Sequence, residues 1–228
     1  MVLCQGTQER LATRRTGKIA ASSVRPPATG QTRERGRLAW RTTCSEVAGT
    51  HELASWLFDP GSLTARLQSL GNFAVRPLRQ TIARPTRDEA AVLGLRHHEL
   101  LRTREVALYL DGIPVVFAHT VLPLSPRGPL TPWLKRLGRR SLGALLFSVP
   151  RIVRGPLHCR RLDGRHPLYG RALAALGVEQ TAAPELWARR SRFTFGRQSL
   201  LVTEVFSPVI FREQCAMYRG VTRVKPFG

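Results

Sequence analysis

The chain has 228 residues, 43% hydrophobic and 22% charged, which is ordinary for one domain with its own core. Its formal net charge of +21 rests almost wholly on arginine, since lysine occurs only at positions 18, 135 and 225. Such a charge favours an anionic partner, and the absence of any apolar run near 18 residues excludes a membrane-spanning helix. Residues 1–50 hold nine basic and three acidic residues, so most of the excess lies in the remaining 178 and a basic arm does not explain it. An arginine bias also follows from GC-rich coding alone.

Residues 1–37 lack hydrophobic periodicity and read as a disordered basic extension. Order is expected from "LAWRTTCSEV". "THELASWLF" predicts a short helix with Thr50 as N-cap, stopped by "DPG". Ser62 caps "LTARLQSL", in which Leu63, Leu67 and Leu70 share a face and Gly71 ends the helix. "FAVRPLRQTIA" (73–83) reads as a strand. "TRDE" (86–89) is a capping box opening a helix that Gly94 terminates. "RHHEL" (96–100) lacks the order of a zinc-protease motif, so His97 and His98 are read as solvated.

"RTREVALYLDGIPVVFAHTVLP" (102–123) is a hairpin around Asp111-Gly112. An unbroken register pairs Leu110 with Ile113, Leu108 with Val115, Val106 with Phe117 and Arg104 with His119, all on one face. That face is apolar except where Arg104 and His119 meet. Thr131 is expected to cap "PWLKRL", with Gly138 as its stop, and Ser141 to cap "LGALLF", whose first-turn amides of Leu142 and Gly143 suit a carboxylate. Residues 149–184 are rich in Pro, Arg and Gly, with one helix at "HPLYGRALAALG", and suggest a lid or a surface insertion. Two strands close the fold, "RRSRFTF" (189–195) and "SLLVTEVF" (199–206), joined through "GRQ". Residues 213–228 are a tail. The fold class expected is α+β: a single antiparallel sheet of five or six strands, with short helices at its ends and over one face, around a ligand pocket.

Cys4, Cys44, Cys159 and Cys215 are widely spaced and form no C-x-x-C pair. This argues against a zinc site and a disulfide scaffold, and suits a reducing, cytoplasmic setting. Glu204 is the chemical oddity of the last strand: it shares an apolar face with Leu200, Val202 and Phe206, where a carboxylate needs a basic partner. Arg104, the helix start at Leu142 and Glu204 together suit a small anionic ligand with a hydroxyl. The guanidinium offers a bidentate fork, the amide a charge-assisted bond and the carboxylate an acceptor.

At these residues the sequence resembles the chorismate–pyruvate lyase family, over roughly residues 38–212. The resemblance rests on "LFDPGSLTARL", "REVALYLDGIPVVFAHTVLP", "LGRRSLGALLF" and above all "LWARRSRFTFGRQSLLVTEVFSP". It implies an antiparallel sheet flanked by helices, with substrate contacts at Leu63, Arg104, Leu142 and Glu204, and catalysis by Arg104 and Glu204. His119, where the family commonly has Arg, is a possible accessory residue. Leu63 stands where other members have Met. The activity implied is elimination of pyruvate from chorismate to leave 4-hydroxybenzoate, for ubiquinone synthesis, by a cytoplasmic monomer. Aromatisation drives that reaction, so no metal and no organic cofactor is expected.

Two other readings compete. A small-acid effector domain of related fold would normally follow a DNA-binding helix-turn-helix, and residues 1–50 show no such pattern. A nucleic-acid binder would interleave aromatic and basic residues on one face, whereas aromatics are 7% of the chain and fall mostly in apolar runs.

Overall fold

The computed structural model describes residues 39–42, 51–96, 98–179 and 185–211. The basic extension (1–37), the tail (213–228), Thr50 and His97 therefore lie outside the described residues, while His98 is exposed. The elements are α1 (His51–Leu57), α2 (Leu63–Gln68), β1 (Phe73–Ala83), α3 (Arg87–Leu93), β2 (Leu101–Leu110), β3 (Ile113–Pro123), α4 (Leu130–Arg136), α5 (Leu142–Ser148), β4 (Val153–Arg154), β5 (His158–Leu162), α6 (Tyr169–Leu176), β6 (Leu186–Phe195) and β7 (Gln198–Phe206).

The fold is α+β, built on one antiparallel sheet of seven strands in the order β1-β2-β3-β7-β6-β4, with β5 also paired to β6. The expected five or six strands fall short by β4 and β5, which lie within the 149–184 segment. Both pair with the outer edge of β6, so that segment completes the sheet as well as carrying a helix.

Local chemistry explains most boundaries. The Ser62 hydroxyl accepts from the Ala65 amide at the start of α2, and the Ser141 hydroxyl accepts from the Ala144 amide at the start of α5. Thr86 and Glu89 form the reciprocal capping box of α3, and Gly94 (φ 67°) closes that helix in the left-handed region. Two expected details differ. Helix α2 ends at Gln68 with Ser69 as C-cap, ahead of Gly71. Helix α4 starts at Leu130, one turn's edge before the expected Thr131 cap, because Gln198 takes over the capping role: its Oε1 accepts from the Leu130 amide and its Nε2 donates to the Thr131 hydroxyl.

The β2–β3 hairpin turns at Asp111 (φ 48°) and Gly112 (φ 81°), the two positive angles of a type I′ turn. Its register departs from the expected one. Leu110 faces Ile113 and Tyr109 faces Pro114, but Leu108 faces Val116, so Val115 is an extra residue in β3. Beyond that bulge every partner shifts by one. Arg104 faces Thr120, and His119 faces Glu105. The pairing of His119 with Arg104 is thus corrected: the two side chains lie on opposite faces of the sheet.

Helices cover both faces, not one. On the front, α1 and α2 pack with Val106, Leu108, Val116 and Phe206, while α4 and α5 pack with Leu122, Phe193 and Leu200. On the back, α6 packs on Phe117, Ala188 and Val205, and α3 brings Leu93 against Leu101, Val121 and Leu201. Cys159 is buried and disulfide-bonded, with a partner outside the described residues. This corrects the expectation from spacing alone; Cys159 also forms an antiparallel bridge with Arg41.

The back face holds its charges in compensated groups. His119 places Nδ1 2.9 Å from Glu105 Oε1 and Nε2 2.9 Å from Glu89 Oε1. Arg171 of α6 also donates to Glu105. Burial by itself pushes the imidazole pKa down, but the hydrogen bonds to Glu105 and Glu89 outweigh it and the net shift is upward. The two carboxyls move the other way: burial raises them, and bonding to His119 brings them below their ordinary value. A cation at position 119 therefore ties α3 to the hairpin.

The sign of the pH dependence follows. The His119 contribution is complete below the ordinary histidine pKa of about 6.5 and is lost as pH rises through the elevated folded value. The glutamate contributions are present above about 4.3 and are lost as pH falls through their depressed values. Urea unfolding of the wild-type protein should show stability falling as pH rises above about 6.5. In His119→Gln that slope should shrink, with roughly 3–5 kcal/mol lost at the lower pH because a carboxylate is left without its cation. Equal slopes in both proteins would contradict the arrangement.

Candidate active site

The strand registers place the site. Across the front face one row runs Arg104, Thr120, Val202, Ser191 from β2 to β6, and the next runs Val106, Ala118, Glu204, Arg189. Arg104 and Glu204 therefore project from the same face, two strands and one pleat apart, or about 12 Å between backbones. Over them lie α2 and α5, whose approach is fixed by a 2.5 Å hydrogen bond between the hydroxyls of Thr64 and Ser141. Gly143 is required there, because a Cβ on it would come within 2.7 Å of the Thr64 hydroxyl.

The space left between helices and sheet is a narrow cavity of about 40 Å³. Leu63, Arg104, Leu142 and Glu204 all line it. The four residues expected from sequence are thus brought together, and His119, on the far side of the sheet, is not among the lining residues.

Arg104 is 4% exposed. Its Nη2 donates to the carbonyls of Gly138 (2.8 Å) and Arg140 (3.2 Å), in the loop between α4 and α5. These bonds hold the guanidinium at the cavity wall. Among the described residues no carboxylate pairs with it. Burial pushes its pKa down to about 10, so it remains a cation, but a poorly solvated one. Such a group gains most from an anion that enters the cavity.

Glu204 has the opposite circumstance. Its Oε2 accepts from Arg189 Nε at 2.6 Å, and the Arg189 side chain is 1% exposed. Arg189 also donates through Nη1 to the carbonyls of Trp56 (2.7 Å) and Asp59 (3.2 Å). This is the basic partner that the apolar strand called for, supplied by the neighbouring strand and not by Arg104. Sequence reasoning missed it although the signal was there. With Gly196-Arg197 as a two-residue turn, Phe195 faces Gln198, and counting back puts Arg189 directly opposite Glu204. Reading the turn as the three residues "GRQ" hides that register.

Arg154 also lines the cavity. Its Nε donates to the Ser191 hydroxyl (3.0 Å), and its Nη1 to the carbonyls of Pro60 (2.6 Å) and Gly61 (3.1 Å). Its guanidinium carbon lies 5.4 Å from the Phe147 ring centre and 5.5 Å from that of Phe193. No sequence signal marked this residue: β4 is two residues long and follows no hydrophobic period. Thr64, Thr120 and Ser191 complete the polar lining beside Ser141.

The arrangement suits a small, flat, hydroxylated acid. Val75, Val106, Leu108, Leu146 and Val202 form apolar walls, a guanidinium waits at one end and a carboxylate held by its own arginine stands at the other.

A probable chorismate pyruvate-lyase of Dechloromonas aromatica (strain RCB) is 47% identical over 175 residues, 76% of this chain and 97% of that one. Another probable chorismate pyruvate-lyase, from Aromatoleum aromaticum, is 51% identical over 162 residues, 69% of this chain and 85% of that one. Among solved structures, PhnF from Mycobacterium smegmatis is similar at a TM-score of 0.48 and 19% identity, over 65% of this chain and 64% of that one, too slight a likeness to bear on function. Residues 37–216 match the family model described as chorismate lyase, and the chain belongs to the chorismate lyase family.

Proposed function

We propose that this protein is a lyase that eliminates pyruvate from chorismate and leaves 4-hydroxybenzoate. The observation that carries the reading is the shared cavity of Arg104, a buried cation with no carboxylate partner among the described residues, and Glu204, a carboxylate fixed by Arg189. Family membership and the names of the relatives support the same reaction.

The chemistry asks little of the protein beyond position and charge. The hydrogen on C4 leaves as a proton and its electron pair enters the ring. The C3–O bond breaks, and the departing enolpyruvate takes up a proton to become pyruvate. The C4 hydroxyl stays, and the ring becomes aromatic. Arg104 and the first-turn amide of Leu142 hold the ring carboxylate, while Glu204 accepts a hydrogen bond from the C4 hydroxyl. Leu63 and the apolar walls set the plane of the ring. Orientation and fixed charge then lower the barrier. The net charge of +21 draws a dianionic substrate toward the site.

Among the described residues no helix is long and apolar enough to cross a membrane. The setting we propose is a monomer in the cytoplasm that supplies 4-hydroxybenzoate for ubiquinone synthesis. No nucleic acid is needed as a partner.

Incubating the purified protein with chorismate in a chelated buffer should release pyruvate and 4-hydroxybenzoate in equal amounts. Release of neither would end the reading.

The Arg189 pair dictates how the catalytic assignment is tested. Glu204→Ala would strip a buried guanidinium of its carboxylate and cost roughly 3–5 kcal/mol of stability, so lost turnover there would be ambiguous. Glu204→Gln keeps an acceptor for Arg189. It should stay folded and lose about 100-fold or more in kcat. Near-normal kcat in that variant would remove Glu204 from the chemistry.

Arg104→Lys exchanges a fork for a point charge. It should weaken 4-hydroxybenzoate binding about tenfold or more by calorimetry, in line with the loss of one charge-assisted hydrogen bond. An unchanged affinity would mean that the carboxylate binds elsewhere.

A further inference from the structure

The charges lining the cavity do not balance. They comprise three arginines, Arg104, Arg154 and Arg189, and one acid, Glu204. Arg189 and Glu204 satisfy each other at 2.6 Å. Arg104 and Arg154 are left, and among the described residues neither has a carboxylate within ion-pair reach. Each is held by neutral acceptors only: backbone carbonyls for Arg104, and two carbonyls and a hydroxyl for Arg154. Glu204 and Asp59 favour the Arg154 charge only from a distance, and burial outweighs them; a partly buried cation with no carboxylate in contact is costly to keep, and two such cations facing one cavity point to a ligand that brings two negative charges.

Their positions divide the work. Arg104 stands on β2 and Arg154 on β4, with β3, β7 and β6 between them. Glu204, on β7, lies between the two. Arg154 is oriented from three directions: Ser191 holds Nε, the carbonyls of Pro60 and Gly61 hold Nη1, and the Phe147 and Phe193 rings flank the plane. Its Nη2 makes no hydrogen bond to a described residue.

We infer that Arg154 is a second carboxylate subsite, which grips the acid group of the enolpyruvyl side chain while Arg104 grips the acid group of the ring. The inference rests on the proposed lyase activity and extends it. The protein then selects a dicarboxylate over a monocarboxylate by leaving two cations with no carboxylate in contact. It also separates the products. When the C3–O bond breaks, the carboxylate on Arg154 departs with pyruvate, while the hydroxybenzoate keeps only its contacts with Arg104, Leu142 and Glu204. Arg154 is thus a contact of substrate and not of the aromatic product.

The test compares ligands that differ in that one charge. In Arg154→Gln the KM for chorismate should rise about 10- to 100-fold, as expected for a lost charged hydrogen bond. The Kd for 4-hydroxybenzoate should change by less than about threefold, and Arg154→Lys should recover part of the KM. A purely structural role, anchoring the loop at Pro60 and Gly61, would weaken both ligands alike. A measurement on the unaltered protein guards against a variant that fails to fold. 3-(Carboxymethoxy)-4-hydroxybenzoate carries a second carboxylate on an ether beside the hydroxyl, and it should bind about tenfold or more tighter than its side-chain methyl ester. Equal binding of acid and ester, or a parallel loss of chorismate and 4-hydroxybenzoate in Arg154→Gln, overturns the subsite while leaving the lyase reading intact. Unaltered protein that releases no pyruvate from chorismate overturns both.

Discussion

The buried pair of Arg189 and Glu204 is the interaction on which the site depends. One guanidinium, 1% exposed, ends a carboxylate's need for a counter-ion and holds the carbonyls of Trp56 and Asp59 at the end of α1. It therefore joins three things: the middle of the sheet, the helical layer above it, and the orientation of an acid facing the cavity. Burying such a pair gains little net stability over an apolar pair, because desolvation offsets most of the attraction. What it gains is position. Glu204 cannot swing away without leaving Arg189 unpaired, which would cost roughly 3–5 kcal/mol. Arg66 ties α1 to the following loop from the same side: its guanidinium stacks 3.6 Å above Trp56, donates to the Ser55 carbonyl and lies 3.4 Å from the Asp59 carboxylate.

A second constraint is the bulge at Val115. Without it Phe117 and His119 would face the cavity, and Ala118 and Thr120 would face α6. The extra residue reverses those assignments beyond the turn. Small Ala118 and Thr120 then leave room beneath the helices, while Phe117 fills the core under α6. One inserted residue thus decides both where the cavity is and which titratable group it holds.

These particulars show what a sequence reader could and could not see. The caps at Ser62, Thr86 and Ser141, the Asp111-Gly112 turn and the strand carrying Glu204 were legible because each depends on residues adjacent in the chain. Arg104, Leu142, Leu63 and Glu204 stood out partly through period-two patterning and partly through resemblance to a known family. The bulge was not legible, since Val115 is as good a strand residue paired as unpaired. Strands β4 and β5 were not legible either: in a stretch rich in Pro, Gly and Arg, the edge of β6 selects them, and local propensity does not. Arg189 stood in view but needed the length of the β6–β7 turn. Arg154 needed the third dimension entirely, because its acceptors are 30 or more positions away in sequence.

The two faces of the sheet handle charge in opposite ways, and the contrast explains why the cavity is a site and not a defect. On the back, His119 lies between Glu89 and Glu105, Arg171 supports Glu105, and Arg190 meets Asp88 at 2.8 Å. Buried Glu89 and Glu105 and half-buried Asp88 each have a cation there. On the front, the same fold leaves Arg104 and Arg154 with neutral acceptors only. Nothing in strand pairing or helix packing requires that difference, and hydrophobic substitutes would pack as well against Val106 and Phe193 at lower desolvation cost. A cavity lined by two arginines that hydrogen-bond only to neutral acceptors is organised around a counter-charge that its ligand brings.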